Sequence, residues 1–258
     1  MRASQAITRP SRLALLAEGR GIVERAWTLA LLPALLTAPR GDGHAVLVLP
    51  GLGAPDTSTL LLRGFLRRLG YDAQGWRQGL NRGPRGDTLA RCATRLQSLA
   101  AAHERPVSLV GWSLGGLYAR ALARTHAALV RQVVTLGSPM AGPPEATHAG
   151  PLFEWLSGLS LHACAARALR DDSPLPVPST SIYSRGDGIV AWRSCLQQPS
   201  EIAENIEVRG SHLALGSNAQ ALWILAERLA QPEGAWRPYG ESGWRRLGTP
   251  PIPRGASR

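Results

Sequence analysis

Val107-Ser108-Leu109-Val110-Gly111-Trp112-Ser113-Leu114-Gly115-Gly116 decides how this chain is to be read. An apolar run of buried-strand length halts at Gly-Trp-Ser-Leu-Gly, and Leu117, Ala121 and Leu122 follow at helical spacing as far as Arg124. Strand, G-x-S-x-G and helix in that order describe a nucleophile elbow. The serine sits in a strained turn, and glycines at 111 and 115 leave room where Cβ atoms would crowd the neighbouring backbone. Such a turn holds the Ser113 hydroxyl clear of the sheet. It also sets Ser113 at a helix N-terminus, so the Leu114 N–H and the positive end of the helix dipole face any oxyanion formed there. The competing reading is a tight Gly-rich turn whose serine caps a helix.

Working outward, His44–Leu49 reads as a buried strand that ends in Pro50-Gly51-Leu52-Gly53, the kind of loop on which α/β sheets place binding groups. A helix follows from Asp56 or Thr57 to Leu69, then a short strand at Tyr71–Trp76 and a polar loop at Asn81–Gly86. Asp87 is expected to cap a helix whose core face is Leu89, Cys92, Ala93, Leu96 and Leu99. Beyond the elbow, Val130–Leu136 is the next buried strand. Thr180–Ser184 delivers Arg185-Gly186-Asp187-Gly188, Ile206–Arg209 delivers Gly210-Ser211-His212, and a last helix spans Asn218–Ala230. The expected organisation is an N-terminal helical region over 1–42, one α/β domain over 43–231 and a tail over 232–258, tacked down by Trp236 or Trp244.

Residues 141–178 interrupt the alternation of strand and helix and read as an insertion at the sheet edge that carries Ser113. Leu152, Trp155, Leu156 and Leu159 share one helical face, with Phe153 beside them. Two readings stay open: a mobile cap that selects apolar acyl groups, or a static helix that completes the core. Trp112 and Met140 are counted among the candidate substrate contacts with Phe153, Trp155 and Leu156. For Trp112 a packing role is equally open.

The formal charge of +11 in 258 residues comes from arginine alone, because the 29 basic residues include no lysine. The arginines are spread along the chain and no nucleic-acid module accompanies them, so nucleic acid is not an expected partner. Clusters at Arg63, Arg67, Arg68 and at Arg82, Arg85, Arg91 are candidates for anionic substrates or lipid headgroups. Cys92, Cys164 and Cys195 are widely spaced and suggest neither a disulfide framework nor a zinc site, which fits a reduced cytosolic protein with no metal and no cofactor. The uncharged stretch Ala26–Pro39 is shorter than the ~20 residues of a membrane span and contains Pro33. Glu18 and Glu24 are out of place in a signal-peptide leader, so the stretch is read as a helix packed on the domain, with peripheral membrane contact as the second reading.

A serine hydroxyl needs a base to take its proton and a carboxylate to orient that base. His212 and Asp187 each follow an expected strand downstream of Ser113, which puts all three at one sheet edge. Asp171 and Asp172, inside the insertion, read as a turn or cap. His44, His103, His126, His148 and His162 read as surface or cap residues. Leu49-Pro50-Gly51-Leu52-Gly53, Gly-Trp-Ser-Leu-Gly, Arg-Gly-Asp-Gly-Ile-Val and Gly-Ser-His-Leu together resemble motifs of the α/β-hydrolase superfamily, in its bacterial lipase and esterase branch. The resemblance covers about 43–230. It implies Ser113 as nucleophile, His212 as base and then acid, Asp187 as orienting acid, and the Leu52 and Leu114 N–H groups as oxyanion hole. One departure is Pro50-Gly51, where lipases often carry His-Gly. The implied activity is cofactor-independent hydrolysis of a small-molecule or lipid ester. Thioester hydrolysis or acyl transfer uses the same triad, and a non-catalytic lipid-binding protein is the reading from another class. Oligomeric state is not readable from the sequence.

Overall fold

A computed structural model describes residues 7–162 and 169–240. Its strands, in chain order, are β1 Ala45–Leu49, β2 Asp72–Gly75, β3 Val107–Trp112, β4 Val130–Leu136, β5 Ser179–Ser184 and β6 Ala203–Val208. They form one parallel sheet in the order β2-β1-β3-β4-β5-β6. Helices α1 Arg12–Leu16, α2 Gly21–Ala30 and α3 Leu32–Leu35 precede it; α4 Leu60–Arg68, α5 Thr88–His103, α6 Leu114–Thr125, α7 Gly150–Ser157 and α8 Ala219–Leu229 are interleaved with the strands.

β1 and β4 are buried at every position. That follows from their apolar runs: a strand covered on both faces needs no polar side, whereas one face open to water would impose alternation. Val46, Val48, Val110 and Val134 pack with Leu35, Leu62, Leu66, Leu222 and Leu225 on one face. Leu47, Leu49, Leu109 and Val133 pack with Leu96, Leu99, Leu117 and Leu122 on the other. Strand order reverses between β1 and β3. The loops leaving these two neighbours therefore diverge and open a crevice at the C-terminal sheet edge, where such sheets bind ligands.

Several expectations change. The helix foreseen over Ala26–Pro39 is broken: α2 ends at Ala30 and α3 restarts at Leu32 with Pro33 in its first turn, where a missing N–H does no harm. The apolar side chains of the N-terminal helical region do not all turn inward. Leu13, Leu16, Ile22, Val23 and Trp27 are exposed, whereas Glu18 is buried. Asp87 sits at the cap position of α5 without capping it, because its carboxylate pairs with Arg91. Within the first arginine cluster, Arg63 is buried on the Thr59 hydroxyl and the Asp56 carbonyl and Arg67 donates to the Ala73 carbonyl, while Arg68 is exposed. His44 is buried, between Asp42 and the Ser108 hydroxyl at 2.8 Å. Burial, ahead of the opposing hydrogen bond from Asp42, pushes its pKa below the ordinary value. Cys92 and Cys195 are buried free thiols; Cys164 and Trp244 lie outside the described residues. Among the described residues no helix is long and apolar enough to cross a membrane.

β3 carries the elbow, so its packing sets the geometry of the site. Leu109 is 0% exposed, and Leu109→Ala is expected to lower unfolding free energy by about 2–5 kcal/mol through lost burial and the cavity left behind. Urea unfolding followed by circular dichroism measures it; a loss under 1 kcal/mol (on the order of a single methylene) would mean the site collapses freely.

Candidate active site

Ser113 lies between β3 and α6 at φ 52° and ψ −120°, a conformation an L-residue adopts only under restraint. Its N–H donates to the Leu136 carbonyl at 2.8 Å, which ties the turn to the end of β4. The flanking glycines are required by close approach. A Cβ on Gly111 would stand 2.3 Å from Gly116 Cα, and one on Gly115 would stand 2.2 Å from the Leu49 carbonyl oxygen. The elbow thus wedges between the ends of β1 and β4.

The loop after β6 brings His212 Nε2 to 3.0 Å from Ser113 Oγ, and the loop after β5 brings Asp187 Oδ2 to 2.5 Å from His212 Nδ1. With Nδ1–H donated to the carboxylate, Nε2 is left to accept from the serine hydroxyl. The second oxygen, Asp187 Oδ1, accepts the N–H groups of Ile189 at 2.9 Å and Val190 at 2.7 Å. The Trp112 indole N–H donates to the His212 carbonyl at 3.2 Å. Burial pulls the imidazole's pKa down, but the charge and hydrogen bond of Asp187, with the charge of Glu18, outweigh it and raise the value above 6.5.

Leu52 and Leu114 line the same cleft as Ser113, each presenting its peptide at a strand end or helix start. The loop after β1 is held by Asn81, which sequence reading passed over as part of a polar loop. Fully buried, its side chain donates to the Pro50 carbonyl at 2.8 Å and accepts from Gly83 N–H and Tyr118 OH. Its backbone N–H and carbonyl pair with the Ala54 carbonyl and the Gly53 N–H. These bonds fix the loop at Pro50-Gly51.

The cleft is walled by Leu117, Pro139, Phe153, Leu161 and Val190. Arg170 stands at its edge and donates to the Ala141 carbonyl at 2.6 Å. The insertion therefore meets the site through Thr147, Ala149, Phe153, Leu161 and Arg170. Met140 is buried in the core beside Phe153 instead of facing the cleft, Trp155 is 79% exposed, and Leu156 packs with Leu152 over Gly53. Trp112 lies behind His212, with ring centroids 6.1 Å apart. Asp171 pairs with Arg124 at 3.1 Å and Asp172 accepts from Gln198, so neither approaches His212. His103 pairs with Asp72, and His162 with Glu145. The second arginine cluster lines an open groove with Trp76 and Leu80. Among the described residues no cluster of His, Cys, Asp and Glu could hold a metal ion.

No protein-family model and no curated protein sequence matches the chain. Solved structures do match its fold. A lipase B from Aspergillus fumigatus aligns over 75% of this chain at 18% identity with a TM-score of 0.56; the chain spans 54% of that protein's length. A lipase from Bacillus licheniformis in its mature form, BlEst2, aligns over 75% of this chain and 94% of its own at 16% identity and TM-score 0.54. A thioesterase domain from the curacin biosynthetic pathway aligns over 73% and 92% at 14% identity and TM-score 0.52. The protein has the α/β-hydrolase fold, a parallel sheet flanked by helices.

The charge balance at His212 is directly testable. In an NMR titration the His212 imidazole is expected to titrate above 6.5, and in Asp187→Asn to fall below the wild-type value, since burial then acts with less opposition. An unmoved value would assign the shift to another group.

Proposed function

We propose that this protein is a cofactor-independent serine hydrolase acting on carboxylic esters with an apolar acyl chain. The observation that carries the reading is the unbroken hydrogen-bonded series from Ser113 Oγ through His212 to Asp187 at 3.0 and 2.5 Å. Ser113 Oγ attacks the ester carbonyl while His212 Nε2 takes its proton. The negative oxygen faces the Leu52 and Leu114 N–H groups, and Asp187 stabilises the imidazolium across the Nδ1 bond. His212 returns the proton to the leaving alcohol. Water, deprotonated by the same nitrogen, then attacks the acyl-enzyme and releases the acid and Ser113.

Ser113→Ala is expected to leave the fold intact while removing ester hydrolysis and covalent labelling by a fluorophosphonate. Retained activity, or labelling at a different serine, rejects the assignment. A panel of oxygen esters and thioesters sharing one acyl group tells ester from thioester preference, since both pass through the same acyl-enzyme.

The apolar walls of the cleft support selection for the acyl chain. Each buried methylene contributes about 0.8 kcal/mol, close to fourfold in kcat/KM. Leu161 lines the cleft and is only partly buried. Leu161→Ala should therefore depress kcat/KM for hexanoate and octanoate esters several-fold more than for acetate. A uniform loss across chain lengths would remove the segment containing α7 from substrate selection.

A further inference from the structure

The N-terminal segment meets the sheet edge through its acidic side chains. Glu18, in the turn between α1 and α2, is 4% exposed. Its Oε1 accepts the N–H of Gly188 at 2.7 Å and of His212 at 2.9 Å, and its Oε2 accepts the N–H of Leu213 at 2.9 Å. Gly188 adjoins Asp187, so one carboxylate bonds the backbone of both loops that face each other across the Asp187–His212 contact. Glu24, in α2, accepts the Ser211 N–H and hydroxyl, each at 2.9 Å, and pairs with Arg20, whose guanidinium reaches the Gly186 carbonyl at 2.6 Å.

We propose that Glu18 is a positioning residue of the Ser113–His212–Asp187 series: its carboxylate clamps the backbones of residues 188, 212 and 213 at the separation that the acid–base contact requires. The proposal rests on the hydrolase reading above. The two loops leave adjacent strands β5 and β6; at their base Ser184 Oγ donates to the Gly210 carbonyl at 2.6 Å, and nearer their tips Glu18 bonds both. A carboxylate that receives three N–H groups is held rigidly and holds their backbones in turn. Substituting an amide removes one acceptor and turns a donor toward the Leu213 N–H, which forces the loops apart. A displacement near 1 Å at such a site lowers rate by about 10²-fold.

The charge acts in the same direction. Asp187 and Glu18 face the imidazole from two elements and Ser113 Oγ from a third, with the Arg20–Glu24 pair behind Ser211 and Arg25 on the Ser217 hydroxyl farther out. Loss of Glu18 leaves fewer negative charges beside the imidazolium.

The test sets Glu18→Gln beside Ser113→Ala, Glu24→Gln and wild type. The expected result for Glu18→Gln is a kcat lower by about 10²-fold with KM nearly unchanged, slower fluorophosphonate labelling, and a kinetic pKa below that of wild type. If Glu18→Gln loses only thermal stability, as Glu24→Gln should, with kcat and kinetic pKa unmoved, the carboxylate merely anchors the segment and the proposal fails. An active Ser113→Ala would instead overturn the hydrolase reading. Should Glu18→Gln not fold, amide exchange on the wild-type chain decides: the Gly188, His212 and Leu213 N–H groups are expected among the slow exchangers, and rapid exchange at all three defeats the clamp.

Discussion

Ser113 at φ 52° and ψ −120° holds a conformation that costs an L-residue about 1–3 kcal/mol, so the chain around it must supply the restraint. The ends of the two neighbouring strands, β1 and β4, do so. β4 receives the Ser113 N–H through the Leu136 carbonyl, Gly115 lies against the Leu49 and Pro50 carbonyls after β1, and Gly116 lies against Ser138 beyond β4. The glycines are thus demanded by distance, and each close contact also fixes the relative height of β1, β3 and β4. Because loops start where strands stop, the same contacts bring Leu52, Ser113 and Pro139 to one cleft.

The opposite flank of the cleft poses an electrostatic problem. The loops after β5 and β6 bury Asp187 and His212 and turn several backbone N–H groups toward the N-terminal segment. A purely apolar helix face there would leave the N–H groups of Gly188, Ser211, His212 and Leu213 without acceptors, at about 1–3 kcal/mol each. Glu18 and Glu24 supply the acceptors. That explains the inside-out character of the segment over 12–30, with Glu18 and Glu24 turned to the loops and Leu16, Ile22 and Trp27 outward: the surface being covered is polar.

The sheet was legible because its signals are local. Seven consecutive buried residues at Val130–Leu136 form the strand expected over just those positions, and the elbow's glycines read directly as room for a close turn. Helix ends were legible where a cap is chemical, as at Asn218, whose side chain accepts the Ala221 N–H. The site needed more. Glu18 lies 194 residues from the His212 N–H it accepts, and Asn81 lies 31 from the Pro50 carbonyl it holds. No spacing or period in the sequence encodes such pairings. For α7, helical periodicity correctly marks a helix but does not say which face covers the cleft. Phe153 is buried in one core cluster with Leu114 and Leu117, whereas Trp155 is exposed.

The arginine excess has a related structural use. Arg120 and Arg228 are each 2% exposed, and their guanidiniums sit mainly on oxygen atoms inside the fold. Arg120 donates to the Asp171 and Ser173 carbonyls and to Gln197 Oε1 at 2.7–3.1 Å, which fastens the returning end of the 141–178 segment to α6. Arg228 bridges Glu204 to the Arg237 carbonyl, and Arg131 links Asp42 to the Gln231 carbonyl. A planar fork of five donors suits loop carbonyls, because one side chain satisfies several acceptors that water would otherwise have to reach. Burial, with Arg124 nearby, lowers the Arg120 pKa only to about 10, so it remains charged at neutral pH. Part of the formal +11 is therefore internal, fixing long loops in place. Net charge alone is for that reason a poor guide to this protein's partners, whereas the cleft beside Ser113 is lined mainly by apolar side chains.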